Sequence, residues 1–299
     1  MCATCGCSGG TVRLLVSDRD HNHDLDPQRG YGRRHEHGHA EHEHEHPEHE
    51  HEHPGDEPSE YRQFHEHPQP ELQTLEAADG PRTVELQQKV LAKNDEIAQG
   101  NREWLRERGI LAVNLMSSPG AGKTTLLEAT MQGLAGRVTI SVVEGDQETA
   151  LDASRILAAG SSVVQINTGA GCHLDAEMLA RALRCLEPQG GSIVMIENVG
   201  NLVCPALFDL GEQAKVVLAS VTEGADKPLK YPHMFRQADL VLLNKIDLLP
   251  YVNFDVREYA SGLRKVSPDA LLLQVSATTG DGMDSWYDWL RRRTPVAGD

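Results

Sequence analysis

The apolar run Leu111-Ala112-Val113-Asn114-Leu115-Met116 passes directly into Ser117-Ser118-Pro119-Gly120-Ala121-Gly122-Lys123-Thr124-Thr125, and then into a helical pattern that ends near Leu134. Strand, glycine-bearing loop and helix in that order form a phosphate-binding unit, and such a unit is carried by a parallel sheet. Gly120 and Gly122 let backbone N–H groups close around phosphate oxygens, with Ala121 and Thr125 in the same cradle. Lys123 brings positive charge to the outer phosphates, and Thr124 can ligate Mg(II). The usual first glycine of such loops is Ser117 here, which leaves the mechanism intact because Gly120 and Gly122 keep the turn.

The rest of the chain beyond residue 110 agrees with that constraint. Short β-branched or Leu-rich runs at 111–116, 138–143, 163–167, 192–196, 215–221, 239–244 and 271–275 predict strands buried on both faces. Helical periodicity falls between them at 124–134, 149–158, 174–186, 256–266 and 283–292. The expected fold is α/β: a mostly parallel sheet with helices on both faces and ligands at the carboxyl ends of the strands, in a domain spanning 110–299. Ahead of it, 83–108 predicts an amphipathic helix inside a segment 81–109. Thr83 would cap it, Gly109 would end it, and Leu86, Val90, Ile97 and Trp104 would form the face that docks on the domain or on a second copy.

Base choice follows from Asn244-Lys245-Ile246-Asp247 at the end of a predicted strand. A carboxylate there accepts two hydrogen bonds from the guanine ring N–H and exocyclic amine, a pattern adenine lacks, so GTP is expected over ATP. Ser276 and Ala277, after the last strand, place a backbone amide near the guanine carbonyl. Asp146 and Glu197 each follow a strand and are expected to hold Mg(II), directly or through water. Asp146 could also orient the attacking water, which makes it and Lys123 the candidate catalytic residues. Glu197 stands where the common GTPase pattern D-x-x-G has Asp, and capping of the next segment is the plain alternative for either acid. No residue declares itself a strong base, so turnover is expected to be slow.

Three sites suggest metal. Cys2, Cys5 and Cys7 are too closely spaced for a stable disulfide loop, yet three thiolates can wrap one soft or borderline cation. With Met1 removed, the α-amine of Cys2 would complete a square-planar Ni(II) set; zinc and Cu(I) are the alternatives. All histidines except His173 and His233 fall between His21 and His67, in a tract of His-Glu and His-Gly units broken by Pro47, Pro54, Pro58, Pro68 and Pro70. Almost free of aliphatic residues, residues 9–80 are expected to be disordered and, through neutral imidazoles, to store divalent ions, with a solubilising tail as the plain alternative. Inside the domain, Cys172 and His173 follow the third strand and Cys204 follows Glu197. Both loops should reach the nucleotide edge of the sheet and form a thiolate–imidazole–thiolate site. Cys185 reads as core.

Composition narrows the partners. A formal charge of −17 over 299 residues argues against nucleic acid and anionic membranes, which select Lys/Arg clusters. No stretch reaches the ~20 apolar residues of a bilayer span, and the N-terminus shows no export signal, so the expected location is the cytoplasm.

The combination of the Cys2-x-x-Cys5-Gly6-Cys7 head (residues 1–8), the His-rich insertion, SSPGAGKTT, EGDQET at 144–149, GAGCHLD at 169–175, ENVGNLVCP at 197–205 and NKID resembles the HypB family, the hydrogenase nickel-incorporation GTPases of the SIMIBI P-loop class. The resemblance covers the head and 83–299. It implies slow GTP hydrolysis to GDP, dimerisation on GTP binding, and supply of Ni(II) to the [NiFe]-hydrogenase large-subunit precursor with a partner nickel metallochaperone. By the same resemblance, Cys2, Cys5 and Cys7 are the tight nickel site, and Cys172, His173 and Cys204 a weaker nickel or zinc site near the dimer interface. A sister GTPase serving urease would share the loop and the His-rich tail, but the cysteine head and the Cys172-His173 pair speak against it. A nickel store with an inert nucleotide domain is the reading from a different class.

Overall fold

A computed structural model of the chain describes residues 11–15, 81–146, 161–169 and 171–295, with only the backbone described at 11–15, 81–87 and 146. The chain divides into two units, 20–78 and the remainder, and every described residue lies in the remainder. The cysteine head, the His-rich tract and the expected helix at 149–158 lie outside the described residues.

In chain order the elements are β1 (Thr11–Leu15), α1 (Pro81–Glu107), β2 (Leu111–Ser117), α2 (Lys123–Leu134), β3 (Ile140–Asp146), β4 (Ser162–Asn167), α3 (Ala176–Leu186), β5 (Ile193–Glu197), β6 (Ala214–Ser220), α4 (Lys227–Lys230), α5 (Pro232–Arg236), β7 (Leu240–Asn244), α6 (Val256–Val266), β8 (Leu271–Gln274) and α7 (Met283–Arg293). Short 3-10 helices occupy Cys204–Ala206 and Ile246–Tyr251. The strands form one sheet in the order β1-β4-β3-β5-β2-β6-β7-β8. From β4 to β8 all neighbours are parallel.

Every residue of β2, β5 and β7 is buried, as strands covered on both faces require. Side-chain alternation sorts them onto two layers. On one face Val113, Leu115, Val142 and Met195 pack under α2 and α7 with Leu126, Leu127, Trp286 and Leu290. Trp286 Nε1 donates to Thr130 Oγ1 at 2.9 Å, so the largest buried side chain of this seam is also hydrogen-bonded. On the other face Ala112, Val143, Val164 and Ile196 meet α1 and α3, while Met116, Val217, Val241 and Leu243 meet α5 and α6 around Tyr259.

Two expectations need correction. Disorder is expected over 9–80, but within it Thr11–Leu15 forms an antiparallel edge strand on β4. The run Thr-Val-Arg-Leu-Leu is short and lies in polar sequence, so its β-branched and aliphatic residues do not stand out until β4 offers a partner. The helix expected at 83–108 begins two residues earlier, at Pro81, and buries a different face. Asn94, Ala98, Asn101 and Leu105 are buried, whereas Val90 is 50% exposed and Ile97 and Trp104 are half-buried. The cause is what α1 rests on. Asn94 Nδ2 donates to Asp209 O at 2.8 Å and its Oδ1 accepts from Ala176 N at 2.9 Å. Asn101 Nδ2 donates to Ala176 O at 2.8 Å and to Leu210 O at 2.9 Å. Loop and helix-end backbone under a helix selects amides where a sheet would select aliphatics. Gly211 closes the same approach at φ +89°, where a Cβ would collide with the Ala98 carbonyl oxygen.

Candidate nucleotide and metal sites

The phosphate loop leaves β2 at Ser117 and turns through residues 118–122 into α2. Gly122 is the N-cap residue, left-handed at φ 99°, and no side chain caps α2, so its first N–H groups face the loop interior. The second reason for glycine there is space. A Cβ would stand 2.8 Å from Asn244 Nδ2. Ser117, the departure from the usual glycine, accepts from Lys123 Nζ at 2.8 Å and donates to Ser118 O at 2.7 Å.

The expected base-recognition residues converge on this loop. Asn244 ends β7, donates from Nδ2 to Ala121 O at 3.0 Å and accepts at Oδ1 from Ala277 N at 3.1 Å. Lys245, at φ 62°, donates to Gly120 O at 2.7 Å, and Ser276 Oγ donates to Asp247 Oδ1 at 2.6 Å. Three segments far apart in sequence therefore share one set of hydrogen bonds. A base placed against Asp247 is thereby held in register with phosphates at Gly120–Thr125.

Thr124, in the first turn of α2, donates from Oγ1 to Glu197 Oε1 at 3.1 Å. Glu197 ends β5 and is 5% exposed. In register beside it on β3 stands Glu144, 2% exposed, a buried acid that sequence reading passed over in favour of Asp146. Counting alternate residues from Val142 along β3 would have placed Glu144 on the phosphate-loop face. A hydroxyl and buried carboxylates at the phosphate end of the sheet are a hard-oxygen set that fits Mg(II). Asp146 closes β3, and its side chain lies outside the described residues.

A second constellation lies on the adjoining loops. Cys172 and His173 follow β4, Cys204 opens the 3-10 turn after β5, and their donor atoms lie within 4.8 Å of one another. Cys172 Sγ is 3.6 Å from His173 Nδ1. The His173 ring is buried and stacks on Phe208, with centroids 3.9 Å apart. Burial pushes the His173 pKa below its ordinary value, against the opposing pull of the Asp175 carboxylate. Its imidazole is therefore neutral at pH 7, the state in which a ring nitrogen binds a metal. Two thiols and a neutral imidazole form a soft to borderline donor set suited to Ni(II) or Zn(II), with coordination positions left for another ligand. Among the described residues no other group of Cys, His, Asp and Glu gathers in this way. Cys185, expected in the core, is exposed on α3. Its neighbours Leu183 and Leu186 take the buried side, and the helix period turns Cys185 outward. The head residues Cys2, Cys5 and Cys7 are outside the described residues. Among the described residues no helix is long and apolar enough to cross a membrane.

Residues 111–274 match the family model described as CobW/HypB/UreG, nucleotide-binding domain. A hydrogenase maturation factor HypB of Escherichia coli (strain K12) is 54% identical over 209 residues, 70% of this chain and 72% of that protein. The crystal structure of hydrogenase maturation factor HypB from Archaeoglobus fulgidus superposes with TM-score 0.64 at 41% identity, over 68% of this chain and 98% of that one. HypB from Helicobacter pylori, solved in complex with nickel, gives TM-score 0.63 at 38% identity, over 69% of this chain and 99% of that one.

Proposed function

This chain belongs to the HypB branch of the CobW/HypB/UreG family, and on that premise we propose that it is a GTP-hydrolysing nickel metallochaperone of [NiFe]-hydrogenase maturation. Its place in hydrogenase maturation and its handling of nickel follow the names of its relatives. The finer reading rests on one observation. The loops that carry Cys172, His173 and Cys204 leave the same edge of the sheet as Glu197, whose carboxylate meets the phosphate-loop hydroxyl of Thr124.

In this reading Asp247 selects guanine, the backbone of 120–125 and Lys123 hold the phosphates, and Thr124 with Glu197 would hold Mg(II), which would neutralise charge on the outer phosphates. Asp146 or Glu144 orients the water that attacks the γ-phosphate, leaving GDP and inorganic phosphate. With no strong base facing the loop among the described residues, hydrolysis is slow. The head cysteines Cys2, Cys5 and Cys7 are the tight nickel site, and the internal cluster is the weaker, nucleotide-responsive one for nickel or zinc. GTP-bound copies pair, a partner metallochaperone joins them, and nickel passes toward the hydrogenase large-subunit precursor in the cytoplasm. The half-exposed Cys172 and Cys204 leave room for a ligand from outside the chain.

Phosphate release by the full chain from GTP and from ATP tests the enzymatic half. Magnesium-dependent release from GTP, abolished by Lys123→Ala, is expected; equal use of ATP would overturn the guanine assignment. The urease reading is tested by asking which immature enzyme the nickel-loaded protein activates.

A further inference from the structure

One buried side chain between the two sites serves neither directly. Asn198 is 1% exposed and follows Glu197 in sequence. Its backbone N–H donates to Leu115 O at 3.1 Å, in the strand that feeds the phosphate loop. Its Nδ2 donates to Asn114 Oδ1 at 3.2 Å on that same strand. Its Oδ1 accepts from Val199 N at 2.9 Å and from Leu174 N at 3.2 Å. Leu174 is the residue after His173. The amide thus ties the segment that carries the Mg(II)-facing carboxylate to the loop that carries two of the three cluster donors.

The anchor behind it is stiff. Asn114 Nδ2 donates to Glu212 Oε1 at 3.1 Å, and Glu212 Oε2 accepts from Leu210 N at 2.8 Å. Leu210 O in turn accepts from Asn101 of α1 at 2.9 Å. Donors buried this deeply are costly to leave unmade, so a shift of 197–199 either carries Leu174 with it or breaks the bond. We propose that Asn198 is the positioning residue through which the state of the nucleotide at Thr124 and Glu197 sets the geometry of the Cys172–His173–Cys204 cluster and its affinity for nickel. The proposal rests on the reading of those three residues as metal ligands beside a GTP site. It names the joint between them. Because such coupling is a free energy shared by two ligands, it acts in both directions: nickel at the cluster changes GTP affinity by the factor by which GTP changes nickel affinity.

The test uses the full chain with Cys2→Ser, Cys5→Ser and Cys7→Ser, so that the internal cluster dominates tight binding. Ni(II) affinity is measured with GDP and with a non-hydrolysable GTP analogue, with and without Asn198→Ala. In the parent the two affinities should differ by about fivefold or more. In Asn198→Ala the ratio should collapse toward one while GDP affinity without nickel is unchanged. A merely structural role would weaken both nickel affinities together and keep their ratio. An undiminished ratio in a folded Asn198→Ala overturns the assignment of Asn198, whereas a parent ratio of one overturns the coupled-site reading itself and this inference with it. The amide resonance of Leu174 in the unsubstituted chain reports on the joint without relying on a variant. It should shift between GDP and the GTP analogue whether the bond is carried along or broken, and an unmoved resonance alongside changed nickel affinity would overturn the proposal.

Discussion

Thr124 Oγ1 and Glu197 Oε1 meet at 3.1 Å, joining the first turn of α2 to the carboxyl end of β5. The same hydroxyl and carboxylate are the pair that would face Mg(II) on the outer phosphates. Thr124→Ala and Glu197→Gln should each lower kcat for GTP by roughly 10²-fold, as loss of one transition-state stabilising group does elsewhere. Steady-state phosphate release across a magnesium titration checks this, and wild-type turnover by either variant would place the metal on other residues.

In the proposed function guanine would be selected by the Asp247 carboxylate, which Ser276 Oγ already holds at 2.6 Å. Asp247→Asn keeps the size of the side chain and replaces one acceptor oxygen by a donor. GTP affinity should fall by roughly 10²-fold or more, with xanthosine triphosphate bound better than GTP, because buried polar groups mismatched to the base are rejected strongly. Competition binding with the two triphosphates reads the switch; unchanged preference for GTP would remove Asp247 from the base site.

The two metal sites should separate by mutation. Cys172→Ser or Cys204→Ser should each remove one of the two thiolates, weaken nickel binding at the internal cluster and leave the tightest site intact. Replacing Cys2, Cys5 and Cys7 should do the reverse. Lys123→Ala should stop GTP turnover with tight nickel binding preserved. Equilibrium competition with a chelator distinguishes the sites, and joint loss of turnover and tight binding in Lys123→Ala would contradict a modular chain.

Acid sensitivity has an address as well. Arg102 holds Asp209 through both carboxylate oxygens, at 2.8 and 2.7 Å. Although burial alone would raise the Asp209 pKa, Arg102 and the Gly211 N–H outweigh it and hold the carboxyl below its ordinary 3.8. A depressed carboxyl contributes stability that is present above about pH 3.8 and is lost as pH falls through the lower folded value. Arg102→Met should therefore cost about 1 kcal/mol or less at pH 7, since the pair is partly solvent-exposed, and should flatten the acid limb of the stability curve. Denaturant unfolding at pH 7 and pH 3 measures both, and an unaltered acid limb would assign the transition to other carboxylates.

Most of the sheet was readable because its strands are buried on both faces and announce themselves as continuous apolar runs. The phosphate loop and the residues Asn244–Asp247 were readable as motifs because backbone approach and the proposed base recognition demand particular residue types at fixed spacing. Residues that act through their place in the fold were not. Asn94 and Asn101 interrupt the apolar period of α1, and only the backbone beneath the helix, at the start of α3 and in the loop at 209–210, explains them. Glu144 gained meaning from its register beside Glu197, and Phe208 from its stacking on His173. Asn198 lies within the motif ENVGNLVCP, yet its bond to Leu174 joins loops 24 residues apart. The short helices at 227–236 lack a full helical period and left no pattern to read.

In the proposed function the nucleotide switch controls the metal. The most direct measurement is transfer of Ni(II) from the loaded, purified chain to a competing chelator with GDP, GTP or a non-hydrolysable GTP analogue present. Release whose rate or extent depends on the nucleotide is the predicted result. Release indifferent to all three nucleotides would contradict it and favour a nickel store with a nucleotide domain that does not address its metal.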